Sequence, residues 1–81
     1  MHLYVAYLGG ALDGGRMGEG HEVVLVVAPD LKEAKVRARA KWRGGGTGHV
    51  DALQQIEMVD GFEIALTDAG VGDRVTLDDY N

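Results

Sequence analysis

One run of aliphatic residues constrains the fold of this chain more than any other feature. Residues 22–28 read EVVLVVA, with five consecutive aliphatic side chains, and Pro29 ends the run. A strand with one solvated face alternates apolar and polar residues, whereas this run is apolar on both faces. We therefore expect a central strand, covered on both sides by a helix, a second sheet or another subunit.

A second strand and a glycine-rich connection precede this run. Residues 2–8, rich in Tyr and Val, indicate a strand. Tyr4 and Tyr7 fall on opposite faces of it, so we expect one to be buried and the other to lie near the surface. Residues 9–20 contain six glycines, and the connection is long for a hairpin. The sequence leaves open whether this segment is mobile or functional.

The segment after Pro29 predicts one amphipathic helix. Asp30 at the N-cap and Glu33 three residues later form a variant of the capping box. A triple glycine at residues 44–46 ends the helix. The apolar side chains recur at helical spacing in one stripe, which consists of Leu31, Ala34, Ala38 and Trp42. Because two of these four are alanine, the helix can lie close on a sheet.

Residues 49–59 and 62–67 predict a second hairpin, whose register depends on its turn. A two-residue loop would place the apolar side chains of the two strands on opposite faces. A three-residue loop, residues 59–61, pairs Met58 with Phe62 and collects those side chains on one face. Such a loop needs a left-handed third residue, and a glycine stands there. We therefore predict the three-residue loop with a bulge.

Together these elements predict a single α+β domain over residues 1–67, with the order ββαββ. Two β-hairpins form an antiparallel sheet, and the helix between them packs on one face. The other face keeps Val24 or Leu25 with its neighbours, together with Leu53 and Val59. An 81-residue monomer would leave that apolar surface exposed to solvent, so we expect a two-fold symmetric homodimer. Residues 68–81 are an acidic tail, in which 74–77 are a candidate edge strand.

Composition excludes several classes of protein. The chain has no cysteine, which excludes disulfides, zinc ribbons and thiol catalysis. No apolar run reaches the roughly 18 residues that a membrane span needs, and the amino terminus lacks the layout of a signal peptide. We therefore expect a soluble cytoplasmic protein that does not associate with a membrane.

The charge is segregated along the chain. Residues 31–43 carry six basic side chains and one acidic one, although the net charge of the whole chain is −5. Such a basic helix could track the phosphates of a nucleic acid. A match between the helix and the acidic remainder, within one chain or between subunits, explains the same charges. We therefore expect no nucleic-acid binding.

Five residues are candidates for a ligand site. Glu19 and His21 are separated by one residue at the entrance to the second strand, and His49 and Asp51 repeat this spacing at the entrance to the third. Residues two apart in a strand point the same way, and imidazole with carboxylate can bind a divalent metal or act as an acid–base pair. The alternative interpretation is that these groups are solvated or bond loop backbone. Trp42 is either a core residue or an apolar wall beside the glycine-rich loop.

The order and spacing of several segments resemble a known bacterial family, domain of unknown function 1543. The resemblance covers about residues 3–66. The segments that carry it are Leu8-Gly9-Gly10, Glu19-x-His21-Glu22, Val26-Val27-Ala28, Lys41-Trp42, His49-Val50-Asp51 and Val59-Asp60-Gly61-Phe62. The resemblance implies a small cytoplasmic bacterial protein without an assigned activity, and it brings no catalytic residue to carry over.

The sequence therefore favours a non-enzymatic, homodimeric module that binds a small ligand or a partner beside the glycine-rich loop. No catalytic residue and no cofactor is assigned, and a divalent metal stays an alternative ligand. The runner-up is a small metal-dependent or acid–base enzyme that uses Glu19, His21, His49 and Asp51. Nucleic-acid binding through the helix is the third interpretation.

Overall fold

A computed structural model describes residues 1–11 and 19–76 of the 81-residue chain. Within this part, three strands form an antiparallel sheet in the order β2-β1-β3, and β4 and β5 form a separate two-stranded hairpin. The elements are β1 His2–Ala11, β2 Glu19–Ala28, α1 Leu31–Ala40, β3 Gly45–Ile56, β4 Met58–Val59 and β5 Phe62–Glu63. The α+β class is confirmed, whereas the predicted four-stranded sheet of two hairpins is replaced by this arrangement.

The helix and one face of the sheet enclose the core. The central strand β1 contributes Tyr4 and Leu8, which are almost completely buried, and β2 contributes Val26. Burying side chains of this size stabilises the fold by roughly 1.5–3 kcal/mol each. The other buried apolar residues are all alanine, namely Ala6, Ala28, Ala34 and Ala38. The described core is therefore small, with only three large side chains.

The helix begins where the sequence predicts. The Asp30 side chain accepts a hydrogen bond from the Glu33 backbone N–H at 2.8 Å, so the N-cap is confirmed. The Glu33 carboxylate does not complete the capping box but accepts a hydrogen bond from Arg37 one turn later, at 3.3 Å. Ala34 and Ala38 of the predicted stripe are buried against the sheet, whereas Leu31 is exposed.

The face of the sheet opposite the helix is apolar, and no described element covers it. It is formed by the side chains that alternate with the core residues, and we call it the open face: Leu3, Val5, Tyr7, Val23, Leu25, Val27 and Ile56. Val23 and Leu25 expose more than half of their surface. The expectation of one buried and one surface tyrosine is confirmed by Tyr4 and Tyr7. Leu53, in contrast to the expectation, packs on the helix side.

The expected central position of residues 22–28 is wrong. Among the strands that the structure describes, β2 pairs with β1 alone, so it lies at the edge of the three-stranded sheet. Its apolar residues on the open face are exposed in the single chain. In this protein, a run that is apolar on both faces is therefore not a strand that is covered on both faces. The position of this run in the sheet therefore gives no support to a homodimer.

Side chains from the helix cover the free edge of β2. Arg37 donates to the carbonyl oxygen of Val27 at 2.5 Å, and Lys41 donates to that of Leu25 at 2.6 Å. Basic side chains placed on an unpaired edge block the addition of another strand. Part of the basic segment is therefore used inside the fold.

The predicted three-residue loop of the second hairpin is also wrong. Val59 pairs with Phe62 and Met58 with Glu63, so the loop consists of Asp60 and Gly61. Both loop residues have positive φ, 52° and 84°, as in the primed turns that match the twist of paired strands. Met58 and Phe62 are 60% and 75% exposed, so no buried face selects the register and the turn decides it.

The tail returns to the end of the helix. Asp73 forms an ion pair with Lys41 at 3.2 Å, and the Asp68 side chain accepts a hydrogen bond from the Gly70 backbone N–H. Residues 74–76 form no strand, and the rest of the candidate edge strand lies outside the described residues. Most of the glycine-rich connection, residues 12–18, also lies outside them. No helix in the described part of the chain has the length and apolar character needed to cross a membrane.

Candidate functional site

The register of the sheet brings both candidate histidines to one glycine. Gly9 in the central strand pairs with His21 of β2 on one side and with His49 of β3 on the other. Directly opposed residues in antiparallel strands present their side chains on the same face. The two imidazoles therefore flank a position that has no side chain of its own, at one end of the open face.

Asp51 completes the group between the two imidazoles. One carboxylate oxygen lies 2.9 Å from His49 Nε2, and the other lies 3.9 Å from His21 Nδ1. A β-carbon added to Gly9 would meet Asp51 Oδ2 at 2.9 Å, His49 Nε2 at 3.0 Å and His21 Nδ1 at 3.4 Å. Three polar atoms therefore converge above Gly9, and we call His21, His49 and Asp51 the His–Asp cluster.

A bulge in β3 places the carboxylate. Tyr7 pairs with Ala52 and Leu8 with Val50, so Asp51 is the extra residue and has no partner of its own in β1. Bulges twist a strand locally and re-aim a side chain. The prediction that His49 and Asp51 point the same way is consistent with this geometry, although the irregular backbone rather than a regular strand positions Asp51.

The cluster is accessible from solvent. The side chains of His21, His49 and Asp51 are 67%, 55% and 43% exposed. A depression of about 190 Å³ lies beside them, lined by Tyr7 and Val23 together with His21 and Asp51. A larger shallow depression of about 590 Å³ continues along the open face from Tyr7 toward β4. A small molecule or ion can therefore reach the cluster without any opening of the fold.

Imidazole and carboxylate groups in this arrangement can exchange protons or bind a cation. The short contact between Asp51 and His49 is of the kind that orients an imidazole by holding one ring nitrogen. Within residues 1–11 and 19–76, no three His, Cys, Asp or Glu side chains are placed, as they stand, so that they could hold a metal ion. The cluster is thus an open set of polar groups rather than a finished coordination shell.

Trp42 lies on the other side of the sheet and does not join the cluster. Its indole contacts the positions where β-carbons of Gly10 and Gly48 would stand, and Gly10 faces opposite to Gly9 along β1. The indole also packs against the core and donates a hydrogen bond to the Gly45 carbonyl oxygen at 3.2 Å. Of the two interpretations of Trp42, this placement supports the core residue.

The remaining candidate, Glu19, lies in β2 opposite Ala11, two residues before His21. Sequence reasoning missed Gly9 and the bulge. The signal for Gly9 was present, because a glycine pair next to a strand marks places where other groups approach the backbone closely. Gly9 and Gly10 do this on opposite faces, one below the cluster and the other below the indole of Trp42.

Comparisons with known proteins identify the family but no activity. The sequence matches the family described as Domain of Unknown Function (DUF1543) over residues 16–66, which include the helix and every described strand except β1. No curated protein matches the chain, and no solved structure does either. Because the match covers more than half of the chain and agrees with the resemblance seen in the sequence, the protein belongs to the DUF1543 family.

Proposed function

We propose that this protein is a small homodimeric binding module, whose ligand is held by the His–Asp cluster above Gly9. The observation that carries the proposal is the convergence of three polar atoms within 3.4 Å of the position that a β-carbon on Gly9 would take. They come from His21 on β2 and from His49 and Asp51 on β3, which lie on either side of β1.

Stability does not explain this convergence. Contacts between exposed charged or polar side chains contribute about 0–1 kcal/mol, and all three side chains of the cluster are substantially exposed. A glycine inside a strand also costs roughly 0.5–1 kcal/mol relative to alanine. The fold therefore gains little from placing these groups over Gly9, and ligand binding supplies a reason for the arrangement.

The open face supports a second copy of the chain as the partner. The described core contains three buried large apolar side chains with four partly buried ones packed against it, whereas the open face presents seven on the other side of the sheet. From Leu3 to Tyr7, neither β1 nor the paired stretches of β2 and β3 place a charged residue on this face, so an identical face is complementary to it. Because Arg37 and Lys41 cover the edge of β2, a contact through that edge is disfavoured, and we expect the copies to meet face to face.

Light scattering after size exclusion tests the dimer with two matched variants. Leu25 on the open face and Val36 on the helix are 52% and 56% exposed, so Leu25→Glu and Val36→Glu place the same charge on equally exposed sites. We expect the unmodified chain and Val36→Glu to have twice the 8.7 kDa chain mass, and Leu25→Glu to be monomeric. A monomer at tens of micromolar in the unmodified chain would reject the dimer.

Nuclear magnetic resonance of the histidine rings tests the ligand site. The probes are small carboxylic acids, phosphates and amines. We expect some of them to shift the ring signals of His21 and His49 but not that of His2, which contacts Gln55 instead. Gly9→Ala should abolish the shifts, because the added carbon occupies the point on which the cluster converges. Equal responses from all three histidines would argue against a site.

Acid–base or metal-dependent catalysis by the same residues is the second candidate function. The contact of 2.9 Å between His49 and Asp51 favours it, because a carboxylate that holds an imidazole also orients it for proton transfer. A panel of ester, amide and phosphate substrates, assayed with the unmodified chain and with His49→Ala, tests this candidate. Turnover that survives His49→Ala would remove it.

Nucleic-acid binding is the least supported candidate. Arg37 and Lys41 already bond the edge of β2, and Lys41 also pairs with Asp73 of the acidic tail. These contacts are of the kind expected if the basic helix pairs with acidic and polar groups of its own chain. Absence of DNA or RNA binding at 50 mM salt would end this candidate, and binding that falls steeply by 200 mM salt would support it. The cytoplasmic location and the bacterial origin stay predictions from the sequence.

A further inference from the structure

We propose that the His–Asp cluster binds one divalent ion of the first transition series, of the type of Zn²⁺, through His21, His49 and Asp51. The inference rests on the proposed ligand site and names the chemistry of its ligand. Two imidazoles and one carboxylate form the donor set that such ions prefer, whereas Mg²⁺ and Ca²⁺ prefer oxygen donors alone.

The backbone below the cluster supplies the space that an ion needs. Any side chain at position 9 would meet the donor atoms of all three residues within 3.4 Å, so the absence of a side chain at Gly9 keeps their meeting point free. The central strand forms the floor, and the ion would lie above it on the solvent side. Rotations of exposed side chains are enough to bring the donors together, with no movement of the strands.

The donor atoms lie close together in this structure, but not yet at the distances that they would have around a bound ion. Ions of this type bind nitrogen and oxygen donors at about 2.0–2.2 Å, which brings neighbouring donors to within roughly 3–3.5 Å of each other. His49 Nε2 is already 2.9 Å from Asp51, and His21 Nδ1 is 3.9 Å from the other carboxylate oxygen. Closing the site therefore requires His21 to move inward by roughly 0.4–0.9 Å.

Three protein donors leave coordination positions open. Structural zinc sites are closed by four protein ligands, whereas sites with three protein ligands keep a position for water or for another molecule. The depression beside the cluster, lined by Tyr7 and Val23, lies where such a molecule would sit. The bound ion would in this way present a further ligand to the open face.

Titration of the tag-free protein with Co²⁺ and Zn²⁺ tests the proposal. Co²⁺ is followed by its visible absorption and Zn²⁺ by calorimetry, with Mg²⁺ and Ca²⁺ as comparison ions. We expect one Co²⁺ or Zn²⁺ per chain, with a Kd below about 100 µM, and no comparable binding of Mg²⁺ or Ca²⁺. His21→Ala, His49→Ala and Asp51→Asn should each weaken binding at least about tenfold.

The chain contains its own matched control, because His2 is the third histidine and lies at the other end of β1. His2→Ala should leave the affinity unchanged. Absence of Zn²⁺ binding, or equal losses from His2→Ala and His49→Ala, would overturn the proposal, and far-ultraviolet circular dichroism checks that each variant is folded. If the organic probes shift the histidine signals but Zn²⁺ does not bind, the ligand site is supported and the metal proposal is rejected. If neither the probes nor Zn²⁺ bind, both proposals are rejected.

Discussion

Two glycines on opposite faces of the sheet allow a test of whether stability and ligand binding depend on different faces. Gly9 lies below the His–Asp cluster, and Gly48 of β3 lies below the indole of Trp42. Neither has a positive φ, so alanine fits the backbone at both positions. The two Gly→Ala variants therefore differ in what the added carbon meets rather than in backbone strain.

The added carbon at Gly48 meets a side chain that cannot easily move. It would overlap Trp42 Cγ and stand 2.7 Å from Trp42 Cδ2, closer than real carbon atoms approach. The indole must shift, which costs about 1–3 kcal/mol in disturbed packing. It also weakens the hydrogen bond to Gly45, a loss of about 0.5–1.5 kcal/mol. Alanine in a strand regains roughly 0.5–1 kcal/mol over glycine, so we expect Gly48→Ala to lower the free energy of unfolding by about 1–4 kcal/mol.

The added carbon at Gly9 meets only the ends of exposed side chains. Asp51 and His49 can rotate into solvent, and alanine in a strand is favoured over glycine by roughly 0.5–1 kcal/mol. We expect Gly9→Ala to change the free energy of unfolding by no more than about 1 kcal/mol while it removes ligand binding. Gly48→Ala should have the opposite profile, with lower stability but an intact cluster in the folded protein.

Urea unfolding at one fixed protein concentration measures both variants, because the stability of a dimer depends on concentration. Circular dichroism is the primary signal, and the fluorescence of Trp42, the single tryptophan, reports on the indole itself. In a domain of this size, 1 kcal/mol corresponds to about 4–8 °C in Tm. Equal destabilisation by Gly9→Ala and Gly48→Ala would refute the assignment of the cluster and the indole to opposite faces.

Three further predictions concern the helix and the small hairpin. Asp30→Ala removes the N-cap hydrogen bond to the helix and should lower the free energy of unfolding by about 1 kcal/mol in urea titrations, and an unchanged midpoint would contradict this. The double variant Arg37→Ala with Lys41→Ala uncovers the edge of β2 and should aggregate faster on heating, as followed by light scattering, whereas Lys35→Ala should not. Gly61→Ala strains a residue at φ 84° and should reduce the hydrogen-exchange protection of the hairpin by several fold. Because the hairpin is exposed, the variant should have little effect on the free energy of global unfolding. A large decrease in that free energy would show that the hairpin is part of the core.

Local chemistry determined much of the outline of this protein. The strands around residues 2–8 and 22–28, the helix with its Asp30 cap and the α+β class all follow from patterns within a few residues of each other. Such patterns act through backbone hydrogen bonds and side-chain spacing, which do not depend on distant parts of the chain. The pairs of His21 and His49 with acidic neighbours were visible as candidates for the same reason.

The neighbours of each strand were decided by tertiary structure. A run that is apolar on both faces favours a central position only if other elements cover both of its faces. Here the helix covers one face, and β2 lies at the edge of the sheet, where Arg37 and Lys41 bond its free carbonyl oxygens. Burial was used to choose the loop of the small hairpin, but Met58 and Phe62 are exposed. The Asp60–Gly61 turn therefore fixed the register on local grounds.

The site belongs to the tertiary structure even more strongly. His21 and His49 stand 28 positions apart in the chain, and they meet only because β2 and β3 both pair with β1 in a register that places each of them opposite Gly9. A bulge at Asp51 then adds the carboxylate. By itself the sequence determined the elements and the residue types, because these depend on local interactions. Register and strand order depend on the packing of the whole sheet, and they decided which side chains face each other.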